Sequence, residues 1–217
     1  MERNKPYIFR YLFAFFIATI LFVMIFVVAY WISYLNYKGI SKENALITGY
    51  IVDFERYINE STCSDKILAE STIKLDIVVS RLGILESRFG KDDPRVLEQK
   101  ELFSQLSFKH FQLVKKLIDL CDADITTFLF FYSNEKDYED ESEHVGVILS
   151  TLKNKYKALV MVYSYDFNLN SDLIKKIKTQ YNVNKAPIVV VNEKEVVQTR
   201  NIDDLEQYIL NKTEEKG

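Results

Sequence analysis

Residues 181–192 read YNVNKAPIVVVN, and this stretch decides the fold of the C-terminal part of the chain. Proline has no amide hydrogen to donate to a sheet ladder, so Pro187 marks the point at which the chain enters a strand. Residues 188–191 are all β-branched and apolar, which is typical of a strand covered on both faces in an α/β sheet. A turn follows, and residues 195–199 can pair back on the strand as a hairpin.

The segments on either side of this stretch predict the remaining strands and helices. Apolar runs at residues 126–132 and 157–165 predict two buried strands. Helical patterns over 142–156 and 171–181 follow these strands, and Asn201 begins a final helix. The predicted order is therefore β, α, β, α, then proline with β, β and α.

Over about residues 125–210 this order resembles the thioredoxin-like superfamily. The segments that carry the resemblance are FLFFYS, VMVYSYD and YNVNKAPIVVVN. The resemblance implies an α/β domain with a central mixed sheet flanked by helices, a cis peptide bond before Pro187, and a groove for an extended peptide beside that proline. The residues that would line this groove are Ala186, Pro187, Ile188, Tyr132 and Ser133.

The chain departs from the family at the junction of the first strand and its helix. Redox members carry Cys-x-x-Cys there, because a thiolate at a helix N-terminus is stabilised and becomes a good nucleophile. Here the junction, residues 133–146, reads SNEKDYEDESEHVG, and Glu139 and Ser142 replace the two cysteines. Since neither side chain can attack a disulfide, we expect no redox chemistry, no catalytic residue and no cofactor at this position.

Residues 11–35 contain no charged side chain and are rich in Phe, Ile, Leu and Val. As a helix this stretch is about 37 Å long, enough to cross a hydrocarbon core of about 30 Å. We therefore expect a transmembrane helix in contact with the lipid bilayer. Aromatic residues cluster at its C-terminal end, as they do at a membrane surface; they are Tyr30, Trp31, Tyr34 and Tyr37. A cleaved signal peptide is the alternative, but the run is too long and no small-x-small cleavage site follows it.

The orientation of this helix is predicted from the flanking positive charges. Arg3, Lys5 and Arg10 precede it, whereas Lys38 and Lys42 follow it. The excess on the N-terminal side favours a cytoplasmic N-terminus and an extracytoplasmic C-terminal part. The chain is then a single-pass membrane protein.

Residues 36–122 show helical periodicity and predict a three-helix spacer. Ser64 can cap the second helix and Gly90 can close it, while Asp93 followed by Pro94 is typical of the start of the third. The predicted divisions are a tail at 1–10, the transmembrane helix at 11–35, the spacer at 36–122, the thioredoxin-like domain at 123–213 and a tail at 214–217.

The chain has two cysteines, Cys63 and Cys121. In an up-down-up arrangement the first and third helices end at the same pole, so a disulfide between them is geometrically reasonable. Closing this loop of about 58 residues would stabilise the fold by about 4 kcal/mol in the chain-entropy model. Two unpaired thiols in a reducing compartment, and a redox-active pair, are the alternatives.

The remaining polar features do not favour a specific site. The net charge of −3 offers no electrostatic basis for nucleic-acid binding. The acidic run at 135–143 could hold Ca²⁺, but it lacks the ligand order of an EF-hand, and acids near a helix N-terminus are explained by the dipole. Asp140 and His144 are too few for zinc. His110 falls in the apolar stripe of the third helix, as a packed core residue does. We therefore expect no metal.

These features together favour a membrane-anchored, redox-inactive thioredoxin-like protein that binds or scaffolds a protein or peptide partner. One alternative is a membrane-tethered thiol-disulfide oxidoreductase or chaperone-like protein that uses Cys63 or Cys121. Another is a structural subunit of a membrane complex.

The expected topology and disulfide can be tested together by thiol labelling of intact cells. We expect an impermeant maleimide to label Cys63 and Cys121 only after a reductant is added, because the pair would be extracytoplasmic and bonded. Labelling without reductant would contradict the disulfide, and protection until the membrane is permeabilised would contradict the orientation.

Overall fold

The computed structural model describes residues 5–60 and 63–214, with the side chains of 8–34, 38–60 and 63–212. The outermost residues of both predicted tails, Arg3 and the side chains of Lys5 and Tyr37 lie outside this part of the chain. The helices and strands in chain order are α1 (Lys5–Glu60), α2 (Asp65–Phe89), α3 (Pro94–Cys121), β1 (Thr126–Tyr132), α4 (Glu139–Tyr156), β2 (Val160–Asp166), α5 (Asp172–Gln180), β3 (Ile188–Val191), β4 (Glu195–Val197) and α6 (Asp203–Glu214).

The chain forms two compact units, Met1–Ala45 and Leu46–Gly217. The first contains the N-terminal part of α1, which is long and apolar enough to cross a membrane. Its described apolar side chains, from Ile8 to Tyr34, are exposed. No helix end falls at residue 35, because α1 continues to Glu60.

The helical region of the second unit consists of α1 from Leu46 onward, α2 and α3. The predicted caps are present: the Ser64 hydroxyl accepts a hydrogen bond from the Ile67 amide at 3.4 Å, and the Asp93 carboxylate accepts one from the Arg95 amide at 2.9 Å. Gly90 ends α2 with a φ of 91°, a conformation that a residue with a side chain rarely adopts. The sequence therefore predicted where α2 begins and ends and where α3 begins.

The sheet is four-stranded and mixed, in the order β2-β1-β3-β4. Strand β1 pairs with β2 in parallel and with β3 antiparallel, and β3 pairs antiparallel with β4. The predicted bounds of β1 and β3 are confirmed, and the Ala186–Pro187 bond is cis as expected. Strand β2 begins three residues later than predicted, because residues 157–159 form a 3₁₀ turn.

Helices cover both faces of this sheet. On one face α4 and α6 pack against alternate side chains of β1 and β3, including Phe128, Phe130 and Val189. On the other face Leu129, Phe131 and the tyrosines of β2 belong to one core with side chains of α3 and α5, and α1 and α2 add residues to the same core. The second face belongs to a core that includes Ile47 and Phe54 of α1, so the helical region and the sheet share one hydrophobic core. The predicted boundary between residues 122 and 123 falls inside this unit.

Cys63 and Cys121 lie at disulfide distance, with their Cα atoms 5.5 Å apart. Cys121 is the last residue of α3, and four residues separate it from the first residue of β1. The cysteine pair therefore lies toward the N-terminal end of β1, at the pole predicted from the up-down-up order.

His110 is fully buried at the junction of three elements of this core. Its Nδ1 lies 2.9 Å from the Tyr163 hydroxyl of β2, and its Nε2 lies 3.3 Å from the Thr72 hydroxyl of α2. The Thr72 hydroxyl donates to the Leu68 carbonyl, so it can accept from an Nε2–H, and Tyr163 then donates to Nδ1. A neutral imidazole therefore satisfies the hydrogen bonding of His110, Thr72 and Tyr163. Burial lowers the pKa of His110 to about 3.

This lowered pKa makes the stability depend on pH. Below the ordinary value of about 6.5 the unfolded chain binds a proton at His110 that the folded chain does not, so stability is lost as the pH falls toward 3. At the slope of about 1.36 kcal/mol per pH unit, lowering the pH from 7 to 5 should cost about 2 kcal/mol from this residue. Urea unfolding of the full chain in detergent, followed by near-ultraviolet circular dichroism, measures the loss.

The variant His110→Gln should remove this part of the pH dependence, whereas His144→Gln, at the other histidine of the chain, should retain it. An equal loss of stability between pH 7 and 5 in the wild type and in His110→Gln would contradict the assignment.

Candidate functional site

The strongest candidate site lies at the carboxyl ends of β1 and β2. These neighbouring strands are parallel and in register, and they end at the pair Tyr132–Asp166. After β1 the chain continues to α4 on one face of the sheet, whereas after β2 it continues to α5 on the other. Two parallel strands whose connections diverge in this way leave a crevice at their carboxyl ends, where open α/β sheets bind ligands.

A cavity of about 900 Å³ occupies this crevice. Carboxylates dominate its charged lining, and they come from the start of α3, the loop after β1, the end of β2 and the start of α5. They are Asp92, Glu101, Glu135, Asp166 and Asp172, while Lys175 is the cation that lines it. The cavity as lined therefore favours a ligand with positive charge over one with negative charge.

A buried ion pair lies beneath this cavity, and its carboxylate, Asp166, lines the cavity. Lys100 of α3 has a side chain that is 2% exposed, and its Nζ lies 2.9 Å from Oδ2 of Asp166, whose side chain is 7% exposed. Glu86 at the end of α2 lies 3.3 Å from the same ammonium. Charges so deeply buried are tolerated only when each is paired and hydrogen-bonded. Lys100 thus joins α2, α3 and β2 beneath the cavity.

Two asparagines complete the hydrogen bonding of Asp166. Asn134 donates its side-chain amide to Oδ2 at 3.0 Å, and the backbone amide of Asn168 donates to Oδ1 at 3.0 Å. The side chain of Asn168 also donates to Glu135 at 2.6 Å. These bonds tie the loops that follow β1 and β2 to each other across the crevice.

Glu139 and Ser142, the two residues that the sequence analysis aligned with redox cysteines, lie beside the same edge, and both are hydrogen-bonded. Glu139, the first residue of α4, forms an ion pair with Lys91 at 2.6 Å, and this hydrogen bond raises the pKa of Lys91. The Ser142 hydroxyl accepts a hydrogen bond from the backbone amide of Ser133 at 3.0 Å. Oxygen atoms of these two side chains therefore stabilise the junction of β1 and α4.

The structure separates the predicted groove residues into two sets. Tyr132 and Ser133 line a smaller cavity of about 200 Å³ together with Glu139 and Ser142. Burial, with Asp166 and Glu86 nearby, raises the pKa of Tyr132, so its hydroxyl stays neutral. The second set, Ala186, Pro187 and Ile188, is buried and lines neither this cavity nor the larger one.

The cysteine pair lies at the other end of β1 from these cavities. Seven residues of strand span about 20 Å, so the sulfur atoms are remote from Ser133 and Ser142. Within residues 5–60 and 63–214, no group of three or more His, Cys, Asp or Glu side chains is arranged to hold a metal ion. The Nε2 atom of His144, a residue considered for zinc, lies 3.0 Å from the Arg200 carbonyl.

Sequence reasoning missed the Lys100–Asp166 pair, although one signal for it was present. Lys100 follows Val96 by four residues, so it falls on the buried face of α3. A charged residue within an apolar stripe requires a buried partner, and Asp166 at the end of an apolar strand is a suitable one. The partner could not be identified from spacing alone, because 66 residues separate the two.

No protein-family model matches the sequence, and no curated protein matches it either. The function of the site therefore has to be inferred from its own residues and geometry.

Breaking the buried pair should destabilise the fold strongly. Lys100→Met leaves Asp166 and Glu86 without their shared cation, and we expect a loss of about 3–5 kcal/mol in the free energy of unfolding. The control is Lys91→Met, because the Lys91–Glu139 pair is partly exposed and should be worth at most about 1 kcal/mol. Urea unfolding measures both. A loss in Lys100→Met no larger than that in Lys91→Met would contradict the structural role of the pair.

Proposed function

We propose that the chain is a membrane-anchored, redox-inactive thioredoxin-like protein that binds an extended peptide or protein segment at the carboxyl edge of its sheet. Residues 11–35 would be the anchor, 36–122 the spacer and 123–213 the binding domain. The N-terminal tail would be cytoplasmic and the domain extracytoplasmic.

The arrangement of elements supports the thioredoxin-like part of this proposal. The order β, α, β, α, β, β, α over Thr126–Glu214 is the one on which the resemblance rests. The first strand is central, the sheet is mixed, and a cis proline precedes β3. Helices on both faces complete the α/β sandwich that the family implies.

The proposed absence of redox activity is supported by the side chains at the two positions where the family's redox members carry thiols. Glu139 and Ser142 occupy them and are engaged by Lys91 and Ser133. Both cysteines of the chain lie at disulfide distance from each other at the far end of β1. A nucleophilic sulfur is therefore missing from the edge where the family's chemistry takes place.

Backbone geometry beside Pro187 supports a peptide as the ligand. The ladder between β1 and β3 ends at the pair Phe131–Ile188. Ser133 is the next residue whose backbone amide could extend this ladder toward Ala186. This amide donates to the Ser142 hydroxyl instead, so Ala186 receives no ladder bond from it. Main-chain groups next to a sheet that lack a strand partner can pair with an extended peptide.

The charges around the larger cavity predict which peptides are preferred. Glu101 is hydrogen-bonded to Gln105, and Glu135 to Asn168, neither of which neutralises a carboxylate. A lysine or arginine side chain entering this cavity would supply the missing positive charge. We therefore infer a preference for basic over acidic peptides.

Thiol-disulfide exchange assays test the redox part of the proposal. We expect the full chain in detergent to leave the reduction of insulin disulfides at the uncatalysed rate, and the variants Cys63→Ser and Cys121→Ser to behave identically. Catalysed reduction that either substitution abolishes would favour the alternative of a membrane-tethered oxidoreductase.

Peptide binding to the full chain in nanodiscs tests the ligand. Using fluorescent ten-residue peptides with net charge of about +2, 0 or −2, we expect the basic set to bind most tightly and to weaken with salt. The double variant Asp92→Lys with Glu135→Lys should lower that affinity on the order of tenfold, since two carboxylates near the ligand are reversed.

Two controls sharpen this measurement. Asp119→Lys reverses an exposed carboxylate of α3 near the opposite end of β1 and should leave the affinity unchanged. Peptides with N-methylated backbones should bind poorly, because they cannot donate to a strand. Equal binding of basic and acidic peptides, or binding insensitive to N-methylation, would contradict the proposed recognition.

A further inference from the structure

Helix α2 presents an apolar seam on its outer face. Four exposed large apolar side chains fall within twelve residues of this helix, and three of them lie on one line: Ile73, 61% exposed, Ile77, 37% exposed, and Ile84, 65% exposed. With the exposed Ser80, the spacings along this line are four, three and four. This spacing is that of positions a and d in a coiled coil.

The inner face of α2 is already used. Leu75 and Val78 of this helix are buried in the core that α2 shares with α3 and the sheet. The isoleucine seam lies on the opposite side and contributes nothing to that core. Apart from Val79 of α2 itself, the other exposed large apolar side chains described in the second unit occur one to an element, so the seam is the contiguous apolar line among its described helices.

We propose that this seam pairs with the same seam of a second copy of the chain, in a parallel two-helix contact. Ile77 and Ile84 then occupy position a, where β-branched residues favour two-stranded pairing. Ile73 and Ser80 occupy position d.

The charges beside the seam select a second copy in parallel. Asp76 precedes Ile77 and falls at position g, whereas Arg81 falls at position e, five residues later. In a parallel pair, g of one helix faces e of the next heptad on its partner, so Asp76 of each copy meets Arg81 of the other. Because the pair of helices is symmetric, this contact between opposite charges forms twice.

The antiparallel alternative is disfavoured by the same charges. It brings position e of one helix against position e of the other, and these positions hold Lys74, Arg81 and Arg88. Like charges facing each other oppose the pairing. Asp76 also forms an ion pair with Lys153 of α4 at 2.7 Å through one oxygen, which leaves its second oxygen able to accept from the partner copy.

Site-directed crosslinking of the full chain in liposomes tests the contact. Ile77→Cys and Ile84→Cys, each made separately, should give a dimer with a short bis-maleimide, because equivalent a positions face each other in a parallel pair. Val147→Cys, an exposed apolar position on α4, is the control and should remain monomeric. Crosslinking at both seam positions no greater than at Val147→Cys would overturn the proposal.

Charge exchange tests the orientation. In the Ile77→Cys background, Arg81→Glu places like charges together and should lower the crosslinked fraction roughly threefold to tenfold, and adding Asp76→Lys should restore it. Lys153→Gln removes only the internal partner of Asp76 and should leave crosslinking unchanged. Efficient crosslinking of a mixture of Ile77→Cys with Ser80→Cys, without self-crosslinking at Ile84→Cys, would show an antiparallel pair and overturn the proposal. Crosslinking to a different protein in native membranes, with none between purified copies, would also overturn it.

Discussion

Helix α3 packs against α2 and against the sheet at the same time, and the fold of the second unit depends on this double packing. Its eleven buried residues span about half the helix circumference, so that one side of this arc meets α2 and the other meets the sheet. Five of these residues are polar, and Ser104 and Ser107 among them are small enough for close helix packing. The longer ones, Lys100 and His110, reach across to Asp166 and Tyr163 of β2. The helical region and the sheet are thereby held in one core.

The candidate site follows from this arrangement. Asp166 ends β2 at the bottom of a crevice, and Lys100 can neutralise it only because α3 crosses beneath. With Asp166 paired, the remaining carboxylates of the cavity come from the loops and helices around it. The charge that a ligand would meet therefore comes from side chains arranged around a neutralised base.

Local patterns predicted most of the fold. The β-branched run gave β3, the apolar run gave β1, and Ser64, Gly90, Asp93 and Pro94 marked the helix ends, because strand formation and capping depend on neighbouring residues. The proximity of Cys63 and Cys121 followed from the up-down-up order of the three helices, which places the ends of the first and third at the same pole.

The structural features that the sequence did not predict depend on contacts between residues far apart in the chain. Leu120 and Val147 fit the apolar patterns of α3 and α4, but their side chains are 49% and 65% exposed. The β2 partners of Lys100 and His110 lie 66 and 53 residues away, so periodicity could indicate that these side chains are buried without identifying what they contact. The cavity also escaped prediction, since it arises where two connections diverge rather than from a motif.

A bond between Cys63 and Cys121, which lie at disulfide distance, would also determine how the chain transmits mechanical force. It would join the loop that follows α1 to the last residue of α3. The covalent path for tension between α1 and the sheet would then run through the sulfur atoms and leave out the backbone of α2 and α3. A pull along this path would load α1 and β1 in series, while the covalent chain of α2 and α3, which forms the floor of the crevice, carries none of the tension.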